Sequence, residues 1–135
     1  MESEQQANLD LVRRAYDALD RDDIPAFLEM CATDAEWAYP AEGRLPYGGR
    51  WRGHNEITRF FDTHDEAEEI LDLRVDEMLT GGELVTALGF FRGRAKPSGR
   101  IWDTRFTHAI TIRDGLIQRF EAYFDTDAAV QAHAE

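Results

Sequence analysis

Cysteine is almost absent from this chain: Cys31 stands alone among 135 residues. One thiol cannot make an internal disulfide, so nothing ties the fold to an oxidising compartment, and a cytoplasmic address is the expectation. Cys31 also lies in an apolar helical stretch, AFLEMC, where a small inert buried residue is expected rather than a nucleophile. Long apolar runs are missing too. No segment approaches the roughly 18–20 residues of a membrane span, and the opening MESEQQ has neither the basic nor the apolar part of a signal peptide. Positive charge is scarce. Fifteen Lys and Arg stand against 27 Asp and Glu, for a formal charge of -12. Such a surface repels phosphate backbones and anionic lipid, so neither nucleic acid nor membrane is an expected partner. No internal repeat, linker or low-complexity stretch divides the chain, so residues 1–135 read as one domain.

What is present is apolar and aromatic material: 43% hydrophobic residues and 11% aromatics, enough for a packed core. The clearest local signal is RIWDTRFTHAITIRDGLIQRFEAYFD, residues 100–125. It reads as two antiparallel strands joined at Asp114-Gly115, a pair suited to the positive φ values of a tight hairpin turn. Parity puts Trp102, Phe106, His108, Ile110 and Ile112 on one face. On the last strand Phe120, Ala122 and Phe124 face inward, with Glu121 and Tyr123 outward.

Upstream, Ser3 and Gln6 resemble a capping box for a first helix in which Leu9, Val12, Tyr16 and Leu19 share a face. Asp22 or Asp23 caps a second helix, from about Ile24 to Cys31, with Pro25 in its first turn. A short strand, Ala35 to Tyr39, turns Trp37 and Tyr39 one way and closes at Pro40. Residues 41–53 read as a Gly- and Pro-rich loop carrying Tyr47 and Trp51, either a flap or an anchored loop. Asn55 is the expected cap of a third helix, Glu56 to about Asp65, with Ile57, Phe60 and Phe61 inward. The run DTHDEAEE reads as a solvated acidic segment, and its His64 lacks the spacing of a metal ligand, so no metal site is expected. Strands over Ile70–Leu79 and Leu84–Arg94 follow, then the hairpin, then a short helix capped near Asp125. Helices first and a meander afterwards predict an α+β fold: three helices of the N-terminal half packed on a strongly curved, mostly antiparallel sheet around an apolar pocket.

Four segments carry a family resemblance: YDALDRDD (Tyr16–Asp23), TDAEWAYP (Thr33–Pro40), YGGRWRGHNEITRFF (Tyr47–Phe61) and FTHAITIRDGLIQRFEAYFD (Phe106–Asp125). In this order they resemble the SnoaL-like branch of the nuclear-transport-factor-2-like superfamily, with its ketosteroid isomerases, limonene epoxide hydrolases, scytalone dehydratases and polyketide cyclases. The resemblance implies a cone-shaped α+β fold with a closed apolar pocket, often a homodimer packed through the sheet, and cofactor-independent isomerase, cyclase or dehydratase chemistry. It does not carry over the steroid isomerase residues. Where those enzymes place a basic Asp before a proline, this chain has Tyr39, and their helical Tyr aligns with Ala15, beside Tyr16. The positions of the epoxide hydrolase triad hold Gly89, Phe91 and Ala122. A dehydratase would want an early Tyr-Asp, which Tyr16-Asp17 supplies, and two pocket histidines, of which His108 is the one in view.

Parity and periodicity gather Tyr16, Trp37, Tyr39, Phe91, Trp102, Phe106, His108 and Phe120 around one space, with Trp51 and Phe60 as its cover. An aromatic box of this kind suits a flat apolar ligand. Among the inward residues His108 is the one whose ordinary pKa lies near neutrality, so it is the expected proton-transfer group, with Tyr39 donating to a substrate oxygen and Asp17 a more remote candidate. The competing reading makes His108 a core histidine bonded to Tyr39 or to a backbone carbonyl, in a protein that only binds its ligand. Leu88 and Phe90, apolar on the outer sheet face beside Asp103 and Arg105, suggest a homodimer interface or an interaction module.

Overall fold

Antiparallel pairing of four long strands builds most of the molecule, and helices cover one face. The structure is a computed structural model and describes residues 3–134. Helix α1 spans Glu4–Asp20, α2 Ile24–Glu29, α3 Gly53–Ala67 and α4 Thr126–His133; strands β1 to β6 span Cys31–Tyr39, Gly49–Arg52, Glu68–Gly81, Leu84–Ala95, Ile101–Arg113 and Leu116–Phe124. The six strands form one sheet in the order β2-β1-β6-β5-β4-β3. All neighbours are antiparallel except β1 and β6, which run parallel. This is the expected α+β architecture of helices on a mostly antiparallel sheet. Register shifts near Ile70, Val75 and Thr111 mark places where an irregularity bends a strand.

Local chemistry explains most boundaries. Ser3 accepts from the Gln6 amide, Asp23 from Ala26 and Asp125 from Ala128, so three helices start on side-chain caps. Asp114 and Gly115 both take positive φ (55° and 72°), as the hairpin turn requires. In α1 the buried residues are Asn8, Leu11, Val12, Ala15 and Ala18, so the expected stripe is rotated: Tyr16 and Leu19 lie on its flank, half-buried.

Four expectations need correction. Helix α2 stops at Glu29, and Cys31 to Asp34 join β1 because Cys31 pairs with Ile117 of β6. Burial pushes the Cys31 thiol up to about 12. The 41–53 segment is not all loop: Gly49–Arg52 forms β2, with Trp51 opposite Trp37 and Gly49 opposite Tyr39. Asn55 does not cap α3; the helix begins at Gly53, and Glu56 reaches back to accept from the Arg52 amide at 3.0 Å. Finally, DTHDEAEE is not a solvated run. Its first part completes α3 and its end opens β3 with Glu68, whose side chain has no exposed surface.

On the outer sheet face Leu88 and Phe90 are half-buried. Arg105 there is ion-paired with Asp76 of its own chain at 3.1 Å, and the Arg74 guanidinium lies 4.8 Å from the centre of the Phe90 ring. No helix is long and apolar enough to cross a membrane among the described residues.

Candidate functional site

Between the helices and the sheet lies a cavity of about 910 Å³, within the size range of small-molecule pockets. Helix α1 supplies Tyr16 and strand β1 supplies Trp37 and Tyr39 to its wall; α3 supplies Phe60 and Phe61. From the meander come Phe91, Trp102, Phe106, His108 and Phe120. Trp51 is not among the lining residues. Its indole N–H donates to the Tyr47 carbonyl at 3.2 Å and its ring packs on Phe60, so β2 spends it on holding α3.

The aromatics are ordered by stacking. Trp37 and Phe120 lie face to face at 3.8 Å with planes 4° apart, a consequence of their pairing in register across β1 and β6. Tyr39 lies nearly parallel to both, 6.4 and 6.5 Å away. Its hydroxyl has no partner among the described residues, and burial, followed by the nearby Glu68 charge, pushes its pKa up. Tyr39 therefore stays a protonated donor.

His108 sits against Phe106 and Phe120, with ring centres 4.2 and 4.6 Å away. Its polar partner is Tyr16, not Tyr39: the Tyr16 hydroxyl lies 2.8 Å from Nδ1. Desolvation lowers the His108 pKa to about 3, so the imidazole is neutral at physiological pH rather than poised near neutrality. Burial raises that of Tyr16. Two proton arrangements satisfy the contact. Tyr16 donates to Nδ1 and leaves Nε2–H as a donor, or Nδ1–H donates to the phenol oxygen and leaves Nε2 as a base. Nε2 has no partner among the described residues, so either function is available to a molecule in the cavity.

Sequence reading missed two further groups. His64 lines the cavity beside Tyr47, 4.6 Å between ring centres, and its ring nitrogens have no partner among the described residues. Burial lowers its pKa to about 4. The signal was present: His64 continues the apolar face of Ile57, Phe60 and Phe61 at three-, four- and seven-residue spacing. Behind that wall is Glu68. Its carboxylate accepts from the Tyr47 hydroxyl at 3.0 Å, from the Trp102 indole at 3.0 and 3.1 Å, and from His133 Nε2 at 2.8 Å. Gly93 makes room, since a Cβ there would come 2.7 Å from the carboxylate. Tyr47 is thus an anchor of its loop. Asp17 is exposed at the cavity's edge, away from the Tyr16–His108 pair in hydrogen bonding. No cluster of ligands able to hold a metal ion occurs among the described residues.

The SnoaL-like domain profile matches residues 12–120. The chain belongs to the SnoaL-like family. It is 29% identical over 129 residues to the uncharacterised protein Rv0034 of Mycobacterium tuberculosis, covering 93% of this chain and 95% of that one. Among solved structures, an NTF2-like protein from Burkholderia xenovorans superposes with a TM-score of 0.90 at 30% identity, over 98% of this chain and all of that one (100%). TerC, crystallised with polyporic acid, gives a TM-score of 0.80 at 26% identity, over 94% and 98% of the two chains. The fold expected from the family resemblance is therefore the fold of this SnoaL-like chain.

Proposed function

We propose that this SnoaL-like protein binds a flat, oxygen-bearing apolar molecule and moves a proton on it through His108, with Tyr16 as the partner that sets its tautomer. The observation that carries the reading is the Tyr16–His108 hydrogen bond of 2.8 Å with Nε2 left unpartnered beside the cavity. A buried imidazole with one nitrogen committed and the other free is a group held in readiness. Tyr39 and the stacked Trp37–Phe120 pair suit an aromatic ligand with an oxygen at one edge. Likeness to TerC, crystallised with polyporic acid, supports a ligand of that flat, aryl-substituted shape.

A conjugate acid near 3, set by desolvation, makes His108 a weak base on its own. The situation changes as a proton leaves the ligand. The new imidazolium then lies beside an enolate or phenolate, and opposite charges in a desolvated site stabilise each other strongly. Tyr39 donates to the developing oxyanion. Within the family's chemistries the second cavity histidine, His64, favours an elimination of water. Dehydration moves one proton from carbon to the departing hydroxyl: neutral His108 takes it and, as the imidazolium, returns it so that water leaves, while His64, neutral as well and on a different element (α3 against β5), holds that hydroxyl by a hydrogen bond.

Exchange of the α-hydrogens of 2-tetralone in deuterated water tests the proton transfer. The expected result is accelerated exchange by the native chain and none by His108→Gln. Tight binding with no exchange by either would replace the enzyme by a binding protein, which the remaining aromatic walls would still support.

A further inference from the structure

The cavity's apolar depth and its polar edge differ in charge, and the edge is built against local stability. Asp17 and Asp20 lie in the last turn of α1, and Asp22 follows in the turn beyond; all three are exposed and all three line the cavity. A helix C-terminus carries a negative partial charge, which cations stabilise and carboxylates oppose. The last turn of α1 has no basic residue. Asp17 and Asp20 are also three residues apart, so like charges share one face. Among the described residues no ion pair engages Asp17, Asp20 or Asp22.

The remaining charged groups of the lining do not offset them. Arg13 is the one cation there among the described residues, and Asp10 pairs with it at 3.3 Å. Asp72 pairs with Arg74 at 3.3 Å. Asp65 lies near Lys96, yet its carboxyl is pushed up by burial and by Asp22, with Asp62 adding to the effect. Arg21 is exposed beside the cluster but does not line the cavity. The depth adds no positive charge either. His108, 8% exposed with its free Nε2 beside the cavity, is neutral, and the buried carboxylate of Glu68 lies behind the far wall.

We infer that the cavity sorts ligands by charge: it accepts an uncharged aromatic molecule, accepts more readily one bearing an amine or other cation at its outer end, and turns away the carboxylate or sulfonate analogue of the same shape. This rests on the proposed ligand-binding role of the cavity and adds the sign of the ligand to it. What such a ligand shares with polyporic acid is shape, not an acidic group. The aromatic walls give area without caring for charge, whereas three unpaired carboxylates at the edge act on any charge that passes them.

Three probes of one shape decide the matter: (2-naphthyl)methylammonium, 2-naphthalenemethanol and 2-naphthoate, titrated against tryptophan fluorescence at roughly 10 mM and roughly 0.5 M salt. The expected order of affinity is cation, alcohol, carboxylate, about tenfold apart per step at low salt and nearly merged at high salt. The triple substitution D17N/D20N/D22N removes charge at exposed positions. It should merge the three affinities at low salt while raising the melting temperature, because it relieves the helix end. A carboxylate that binds within about twofold of the alcohol at low salt, or an order that survives the triple substitution, overturns the inference and leaves the ligand-binding role standing. Failure of all three probes to bind at either salt removes that role and the inference together.

Discussion

Two buried polar clusters lie within the same fold, and they differ in whether the hydrogen bonds of the central group close. Around Glu68 every oxygen is used: a tyrosine, a tryptophan and a histidine from the 41–48 loop, β5 and α4 all donate to one carboxylate. A carboxylate only accepts, so His133 carries its hydrogen on Nε2; its Nδ1 is buried without a partner, which suits a bare lone pair better than an N–H. The Tyr16–His108 pair is open instead. One nitrogen is engaged and the other has no partner among the described residues, on a side chain that lines the cavity. A closed network fixes geometry, and an open one leaves a valence for something that arrives. Burial alone therefore does not mark the working group. Glu68 is the more deeply buried and the more richly bonded of the two, and its bonds are what assign it to architecture.

Breaking the closed cluster should produce the largest effect. Glu68→Ala strands the Tyr47 hydroxyl, the Trp102 indole and His133 in the interior and cuts the tie between β3 and α4. The expected loss is about 3–5 kcal/mol by denaturant unfolding, since each buried donor left unsatisfied costs about 1–3 kcal/mol. A loss below about 1 kcal/mol would show that water or a shifted side chain replaces the carboxylate. The open pair should respond the other way round. His108→Gln keeps a polar group of similar reach, so stability changes by about 1 kcal/mol or less, while exchange on 2-tetralone falls by about 100-fold or more. Equal stability losses in the two variants would erase the distinction.

The fold was legible because its signals are local and redundant. Alternation in residues 100–125, the Asp-Gly turn, and the Ser3, Asp23 and Asp125 caps need no knowledge of distant partners. The site was legible only in half. His108 announces itself by parity among aromatics. Glu68 does not, because it is the first residue of a strand, preceded by charges that do face solvent, and its three donors lie 21, 34 and 65 residues away. Tyr16 was visible as an inward residue, yet its bond to His108 spans 92 residues. β2 was hidden for a related reason: four residues beside two glycines become a strand only because β1 offers them an edge.

Acid should separate the histidines from the rest of the chain. His108 and His64 are held near 3 and 4 in the folded state, below their ordinary 6.5. The unfolded chain takes up protons that the folded chain refuses, so stability is retained above about pH 6.5 and falls as pH drops from there toward the folded values. Each histidine should contribute about 2 kcal/mol of loss by about pH 5. In urea titrations across this range His108→Gln and His64→Gln should each flatten the profile by about that amount. An unchanged profile in both would mean that neither ring is desolvated as packed.

Tyr16→Phe is the smallest change and the sharpest probe of the open pair. It removes one hydroxyl and leaves the ring in place, so about 1 kcal/mol of stability is at stake, the ordinary net worth of one hydrogen bond. The functional effect depends on which proton arrangement the ligand meets. Where Tyr16 donates to Nδ1, it fixes the tautomer that presents Nε2–H, and its loss frees the ring to exchange tautomers. Where Nδ1–H donates to Tyr16, its loss leaves that hydrogen without an acceptor and makes Nε2 a weaker base. The second route lowers exchange on 2-tetralone by about tenfold; the first does not, since freeing Nε2 of its hydrogen exposes a base, and the two part again in the nitrogen NMR of the imidazole. The first predicts a native ring protonated at Nε2 that becomes mixed in Tyr16→Phe; the second predicts a native ring protonated at Nδ1. A phenylalanine variant with native exchange and native nitrogen shifts would show that the 2.8 Å contact does no more than pack.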